Sequence, residues 1–265
     1  MDLSNKKHFC IKNWYKNLSR AQKMFFFVFL MNVIAFGFVV YSFIDSLTIN
    51  VIGKDGDGIE ALKQYSFKNG FTEADKFTNQ SNILLLVFSI FFVFFPKNSV
   101  LKNDKFLIST IVYIFFTFFG YNFILNFTGR GFTNPINTLP RLITSVVLHL
   151  INPLVFIVCG FLKYLFEPLK EIKKFHSYLI PGMIYPILYL VYAVTIPYVY
   201  KINGQMAGYS VYGFATDVVN NPKVAWPISL GMIFIYFPIT FFLAWYGAKK
   251  ISWSVIKKQE ALKTI

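Results

Sequence analysis

Residues 24–47 read MFFFVFLMNVIAFGFVVYSFIDSL, twenty-four positions that carry one charge, at Asp45. A hydrocarbon core about 30 Å thick takes about 20 apolar residues of helix to cross, so this stretch is long enough to span a membrane on its own. Six basic residues precede it (Lys6, Lys7, Lys12, Lys16, Arg20 and Lys23) and no small-residue cleavage site is evident, so it reads as an uncleaved anchor.

Five further apolar blocks follow at 77–95, 106–127, 141–166, 177–200 and 225–247, separated by charged stretches. The chain is 55% hydrophobic, 20% aromatic and 14% charged, with a mean hydropathy of +0.52. A water-soluble fold of 265 residues could not bury that much apolar surface. The expected fold is all-α, a polytopic membrane bundle of six transmembrane helices. Residues 24–247 form its membrane domain, between basic tails at 1–23 and 248–265. Both tails mix aromatic and aliphatic residues with lysines, as at Trp14, Tyr15 and Trp253, and are read as basic anchors.

The net charge of +14 belongs to the membrane surface and not to nucleic acid, because the lysines cluster beside the ends of the apolar blocks. Placing the N-terminus inside puts 18 of the 26 Lys and Arg residues on the inner side and 8 on the outer. Positive segments resist translocation, so the expected topology has both termini cytoplasmic in a multi-pass cell-membrane protein. Cys10 and Cys159 have no metal-ligand spacing, and GKDGDG at 53–58 lacks the later ligands of a calcium loop. No metal and no cofactor is expected.

Polar side chains inside spans are costly in lipid and usually face the bundle interior. Thr78, Ser81 and Asn82 lie at the outer end of the second block, Asn122 and Asn126 at the outer end of the third, and His149 and Asn152 in the fourth. From the outer entry of that block, His149 is about 12 Å and Asn152 about 16 Å down at 1.5 Å per residue. Tyr185, Tyr189 and Tyr192 rise through the fifth, with Pro186 among them. These groups share one band in the outer half of the membrane, and Pro153 and Pro186 each remove a backbone hydrogen bond beside them.

His149 is the one histidine in a span. Imidazole suits proton transfer near neutrality, and a structural hydrogen-bonding role is the other reading. Acyl transfer needs a hydroxyl within reach, for which Thr78 and Ser81 are candidates, with Asn82, Asn122 or Asn152 orienting the ring or meeting an oxyanion. Thr78 is equally suited to cap the second helix. A full hydroxyl–histidine–carboxylate arrangement would need Asp217 to fold inward. A small-solute transporter and a non-catalytic structural membrane protein are the alternatives.

FTNQSNILL (77–85), VVLHLINPLVF (146–156), YPILYLVYA (185–193) and YSVYGFATDVV (209–219) occur in that order. Together they resemble the androgen-induced integral membrane hydrolase family and its bacterial relatives, over more than half of the chain. The resemblance implies six helices and hydrolysis of lipid esters of the fatty acid ester of hydroxy fatty acid type, with membrane lipids as surroundings and source of substrate. It implies Thr78 as nucleophile and His149 as general base, with Asn82, Tyr185, Tyr189, Tyr212 and Asp217 in matching elements. Gly213 stands where that family's pattern has proline.

Overall fold

The computed structural model describes residues 11–51, 62–65, 67–95, 103–125, 138–169, 171, 173–202 and 209–263. Cys10, the 53–58 stretch and Asn126 lie outside the described residues. Six helices among them are long and apolar enough to cross a membrane: Arg20–Leu47, Phe77–Phe94, Asp104–Phe123, Leu139–Phe166, His176–Val199 and Pro222–Lys263. The protein is a multi-pass membrane protein of the all-α class.

A short helix α1 (Ile11–Lys16) precedes α2 (Arg20–Leu47), the first span. Strands β1 (Thr48–Val51) and β2 (Leu62–Tyr65) pair antiparallel beyond it, with Thr48 opposite Tyr65, and lead into α3 (Phe67–Ala74). The second span is α4 (Phe77–Phe94), and the third is α5 (Asp104–Phe119) with a π-turn at Gly120–Leu125. The fourth joins α6 (Leu139–Val146) to α7 (Asn152–Phe166) through a π-turn at Val147–Ile151. The fifth lies in α8 (His176–Ile202). The sixth joins α9 (Pro222–Gly231) to α10 (Phe237–Lys263) through a third π-turn, Met232–Tyr236.

The sixth helix runs 42 residues, about 63 Å, twice what a bilayer core needs. Its last turns take in the segment assigned to the C-terminal tail. Nothing between 248 and 263 breaks a helix, and Ala248 and Ser252 are fully buried against the bundle, Ser252 Oγ accepting the Leu169 N–H.

Residues 107–114 of the third span are all buried, while the first and fifth spans keep most of their surface open. The third span is therefore central, with the second, fourth, fifth and sixth packed on it and the first packed on the second and fourth. Lipid is as apolar as a phenylalanine ring, so burial by itself gains little here, and close packing and interhelical hydrogen bonds do the holding. At the end that contains Asp104, the rings of Phe25, Phe88, Phe92 and Phe156 contact one another at 4.7–6.0 Å, each pair contributing roughly 0.5–1.5 kcal/mol beyond area. Asn32, which the sequence reading passed over, donates from the first span to Leu85 O and Ser89 Oγ of the second. Lys163 and Asp104 form an ion pair at 2.6 Å that joins the third and fourth spans at that same end.

Three of the prolines explain local geometry. Pro153 and Pro238 each follow a five-residue π-turn, and in both cases the residue before proline bonds five back: Asn152 N–H to Val147 O, and Phe237 N–H to Met232 O. A proline ring clashes with the carbonyl four residues earlier, and widening the helix by one residue relieves the clash. Pro186 lacks the N–H that would bond Gly182 O, and the Tyr113 hydroxyl takes its place at 2.6 Å.

Candidate functional site

A cavity of about 870 Å³ occupies the end of the bundle opposite Asp104, with wall residues from all six spans and from the segment after the fifth. Its rim carries two ion pairs, Arg141–Asp45 at 2.9 Å and Lys76–Glu73. Arg141 is 55% exposed at its side chain, so the cavity reaches the surface there. Below, the rings of Phe77, Phe116 and Phe237 meet at 5.0–6.2 Å and form an apolar floor. The shape suits an amphiphile, with a charged mouth over an apolar base. All three π-turns contribute wall residues, among them Tyr121, His149 and Ile233, which fits the tendency of π-turns to occur at functional sites.

His149 and Thr78 both line this cavity. The His149 ring is held on two sides. Nδ1 lies 2.9 Å from Ser145 O, an acceptor only, so Nδ1 carries the proton and Nε2 is left with its lone pair. The Tyr121 ring stacks on the imidazole with centroids 3.6 Å apart, and its hydroxyl bonds Ser145 Oγ at 2.6 Å. Ser145 is four residues before His149 and therefore on the same helical face, a signal the sequence reading left unused.

The π-turn and Pro153 withdraw the usual helical donors from Leu148 O and His149 O. Both carbonyls are satisfied from other spans: Asn82 Nδ2 donates to Leu148 O at 3.2 Å, and Asn122 Nδ2 to His149 O at 2.8 Å. Asn152 Nδ2 donates to Asn82 Oδ1 at 2.8 Å. Asn82 and Asn122 thus repair and align backbone, and Asn152 braces Asn82. None of the three is bonded to the imidazole, which corrects the expectation that one of them orients the ring directly.

Thr78 is the second residue of α4, whose cap position is Lys76, so Thr78 is not the helix cap. Among the described residues its hydroxyl has no hydrogen-bond partner, while its carbonyl accepts from Asn82 Nδ2 and Ser81 Oγ. Ser81 is fully buried off the cavity, bonded to Thr117 Oγ1 at 2.8 Å, and is removed as an alternative nucleophile. No hydrogen bond joins the Thr78 and His149 side chains.

Asp217 does not fold inward. Its carboxylate is used locally by the N–H groups of Val219 and Asn220 and by Asn220 Nδ2, so it is no partner of His149. Tyr185 donates to Gln80 Oε1 at 2.7 Å and Tyr192 to Asp75 Oδ2 at 2.9 Å, and neither lines the cavity. Tyr189 and Tyr212 do line it. Tyr189 donates to Asp75 O at 2.8 Å, and Tyr209, which the sequence reading did not single out, reaches the Asp75 carboxylate at 3.0 and 3.1 Å. Phenols thus fasten the turn that starts α4. Burial first, and then Asp75, hold the Tyr209 phenol above its ordinary range. Burial likewise raises Asp75, against the pull of Tyr192, Tyr209 and Lys76. Gly213 has φ 54°, a conformation closed to proline, whose ring holds φ near −65°, which accounts for the glycine in this chain. Among the described residues no three His, Cys, Asp or Glu side chains converge as metal ligands.

The family described as "Protein of unknown function (DUF1600)" matches residues 142–253. The chain is 35% identical over 253 residues to uncharacterized protein MG452 of Mycoplasma genitalium, covering 94% of this chain and 88% of that protein. It is 37% identical to the MG452 homolog of Mycoplasma pneumoniae, over 87% and 86% of the two. Uncharacterized protein MG133 of Mycoplasma genitalium is 30% identical over 60% of this chain and 70% of its own. No solved structure matches.

Proposed function

We propose that this chain, which belongs to the family of the Mycoplasma genitalium protein MG452, is an intramembrane hydrolase of lipid esters with Thr78 as nucleophile and His149 as general base. The observation that carries the reading is the state of the two side chains in one cavity: among the described residues the threonine hydroxyl has no partner, and the histidine has its Nδ1 committed and its Nε2 unclaimed, open to take a proton. Thr78 Oγ1 would attack the ester carbonyl as Nε2 accepts its proton. Collapse of the adduct returns that proton to the leaving alkoxide, and water then releases the acyl group by the same route in reverse. An ester of the fatty acid ester of hydroxy fatty acid type, as the resemblance implies, fits an apolar floor of phenylalanine rings under a charged rim.

The reading carries a topology. The end with Asp104 has Lys105, Lys163, Lys249 and Lys250 near the ends of its spans, so we assign it and both termini to the cytoplasm of the cell, and the cavity to the outer half of the cell membrane. Transport of a small solute would need a second opening at the Asp104 end, where aromatic rings fill the interior, and a purely structural role would leave the 870 Å³ cavity without a purpose.

The test is covalent labelling with an alkyl fluorophosphonate. The wild type is expected to label at Thr78, with the label lost in Thr78→Val and in His149→Gln. Labelling that persists in both variants removes the proposal.

A further inference from the structure

Once an ester carbonyl is placed at Thr78, its oxygen becomes an oxyanion on attack and needs a donor in a site from which bulk water is largely displaced. Asn82 and Asn122 spend their amides on backbone carbonyls, Asn152 donates to Asn82 Oδ1, and the rim cations are paired with Asp45 and Glu73. The unused donors on the cavity wall are hydroxyls.

Tyr212 lines the cavity beside the start of α4. Its oxygen accepts the Phe77 N–H at 2.8 Å. This first-turn amide has no partner inside the helix, and it brings the positive end of the helix dipole to the phenol oxygen. Tyr189 donates to Asp75 O at 2.8 Å and, more distantly, towards the Tyr212 oxygen at 3.5 Å, so neither bond takes up the Tyr212 proton. Among the described residues, that proton has no acceptor. Tyr212 is thus a cavity-wall phenol whose oxygen receives a backbone donor and whose own proton no described acceptor claims, next to the backbone of the proposed nucleophile. A separate observation points to a polar ligand in the same space: Ser229 Oγ, 3% exposed and on the cavity wall, has no hydrogen-bond partner among the described residues.

We propose that the Tyr212 hydroxyl is the hydrogen-bond donor that holds the carbonyl oxygen of the ester and stabilises the oxyanion formed on it. The inference rests on the hydrolase reading and adds a third catalytic residue to it. When the Thr78 Oγ1–carbon bond forms, the carbonyl π pair moves onto oxygen and is met by the Tyr212 O–H, which keeps its proton throughout. When the adduct collapses the pair returns, and the carbon–alkoxide bond breaks. Burial keeps this phenol protonated, its pKa pushed up to about 12, so it is a neutral donor at working pH.

Tyr212→Phe removes the donor and also the acceptor for the Phe77 amide, so it does not test the idea alone. Replacing Tyr212 with 3-fluorotyrosine and 3,5-difluorotyrosine keeps the oxygen and strengthens the donor. The rate of fluorophosphonate labelling at Thr78, whose phosphoryl oxygen stands where the oxyanion would, is expected to rise with each fluorine at pH 7 with the unfolding temperature unchanged. Tyr212→Phe is expected to slow it by about 10²-fold or more. The same fluorination at Tyr209 leaves the rate alone. Wild-type labelling that is unmoved by fluorination at Tyr212 overturns this role and leaves the hydrolase reading standing. A wild type that does not label overturns both.

Discussion

Asn152 Nδ2 donates a 2.8 Å hydrogen bond to Asn82 Oδ1 and helps tie the fourth span to the second beside the cavity. Asn82 then spends its own amide on Thr78 O at 2.8 Å and Leu148 O at 3.2 Å. The backbone of Thr78 and the residue before His149 are therefore held by a single side chain. A hydroxyl and an imidazole 71 positions apart in sequence owe part of their shared wall to this amide.

Asn82→Leu leaves Leu148 O and the Asn152 amide without partners in a buried site. The expected cost is about 1–3 kcal/mol, seen as a lower unfolding temperature in detergent together with slower labelling at Thr78. An unchanged unfolding temperature would show that the amide is not the tie described.

Thr78→Val keeps the shape of the side chain and removes an oxygen that bonds no described residue. Stability is expected to stay within about 0.5 kcal/mol of the wild type while labelling disappears, and Thr78→Ser is expected to keep part of it. A large fall in unfolding temperature in Thr78→Val would instead assign that hydroxyl a structural bond.

Pro153→Ala returns an N–H to the position that would bond His149 O in a regular helix, in competition with Asn122. Relief of the π-turn is expected to turn His149 away from its present position and cut labelling, with no loss of thermal stability, since proline is the poorest helix former. Wild-type labelling in this variant would separate the π-turn from the chemistry.

Burial raises the Asp75 carboxyl above its ordinary range. Between the unfolded value near 4 and the raised folded value, the folded chain holds more protons than the unfolded one, so stability falls as pH climbs through that window and is greatest below it. Asp75→Asn cannot ionise and is expected to flatten this dependence. Unfolding temperatures taken across the acid range in both proteins decide it, and equal slopes would exclude Asp75 as the source.

Gly182 sits where a Cβ would lie 2.3 Å from Phe241 Cζ, with Ser109 Oγ at 3.0 Å, so Gly182→Ala forces the fifth and sixth spans apart. A destabilisation of about 1–3 kcal/mol is expected. Gly37 has nothing within 4 Å of its would-be Cβ, and Gly37→Ala is expected to be neutral or stabilising by about 0.5–1 kcal/mol. Thermal unfolding of the two variants side by side makes the comparison.

The six spans were legible because lipid demands long apolar blocks whatever the packing, and each block found a helix within a few residues of its expected ends. The one large difference, the helix running on from 247 to 263, arises because lysine-rich sequence carries no hydropathy signal yet favours helix, and Ala248 and Ser252 give it a surface to pack on. The central position of the third span was not legible, since its apolar residues resemble those of a lipid-facing helix.

Within the site, residue type and depth were enough to single out Thr78, His149 and Tyr189, because a polar side chain in a span must find an interior surface; Tyr212, which lies outside the spans, was named only by the resemblance. Which hydroxyl is free was decided only by the fold. Ser81 and Thr78 are three residues apart and chemically alike, but Thr117 of the third span claims the first and no described residue claims the second. Asn82 and Asn122 were offered by type for chemistry and are held instead by backbone bonds, and Asp217, which would have had to fold inward, is held by its local turn. The amino-acid order by itself determined that this chain lives in a membrane and which groups would be costly there. The tertiary structure decided which of those groups have their hydrogen bonds met by other spans, because donors and acceptors far apart in sequence are matched only by packing.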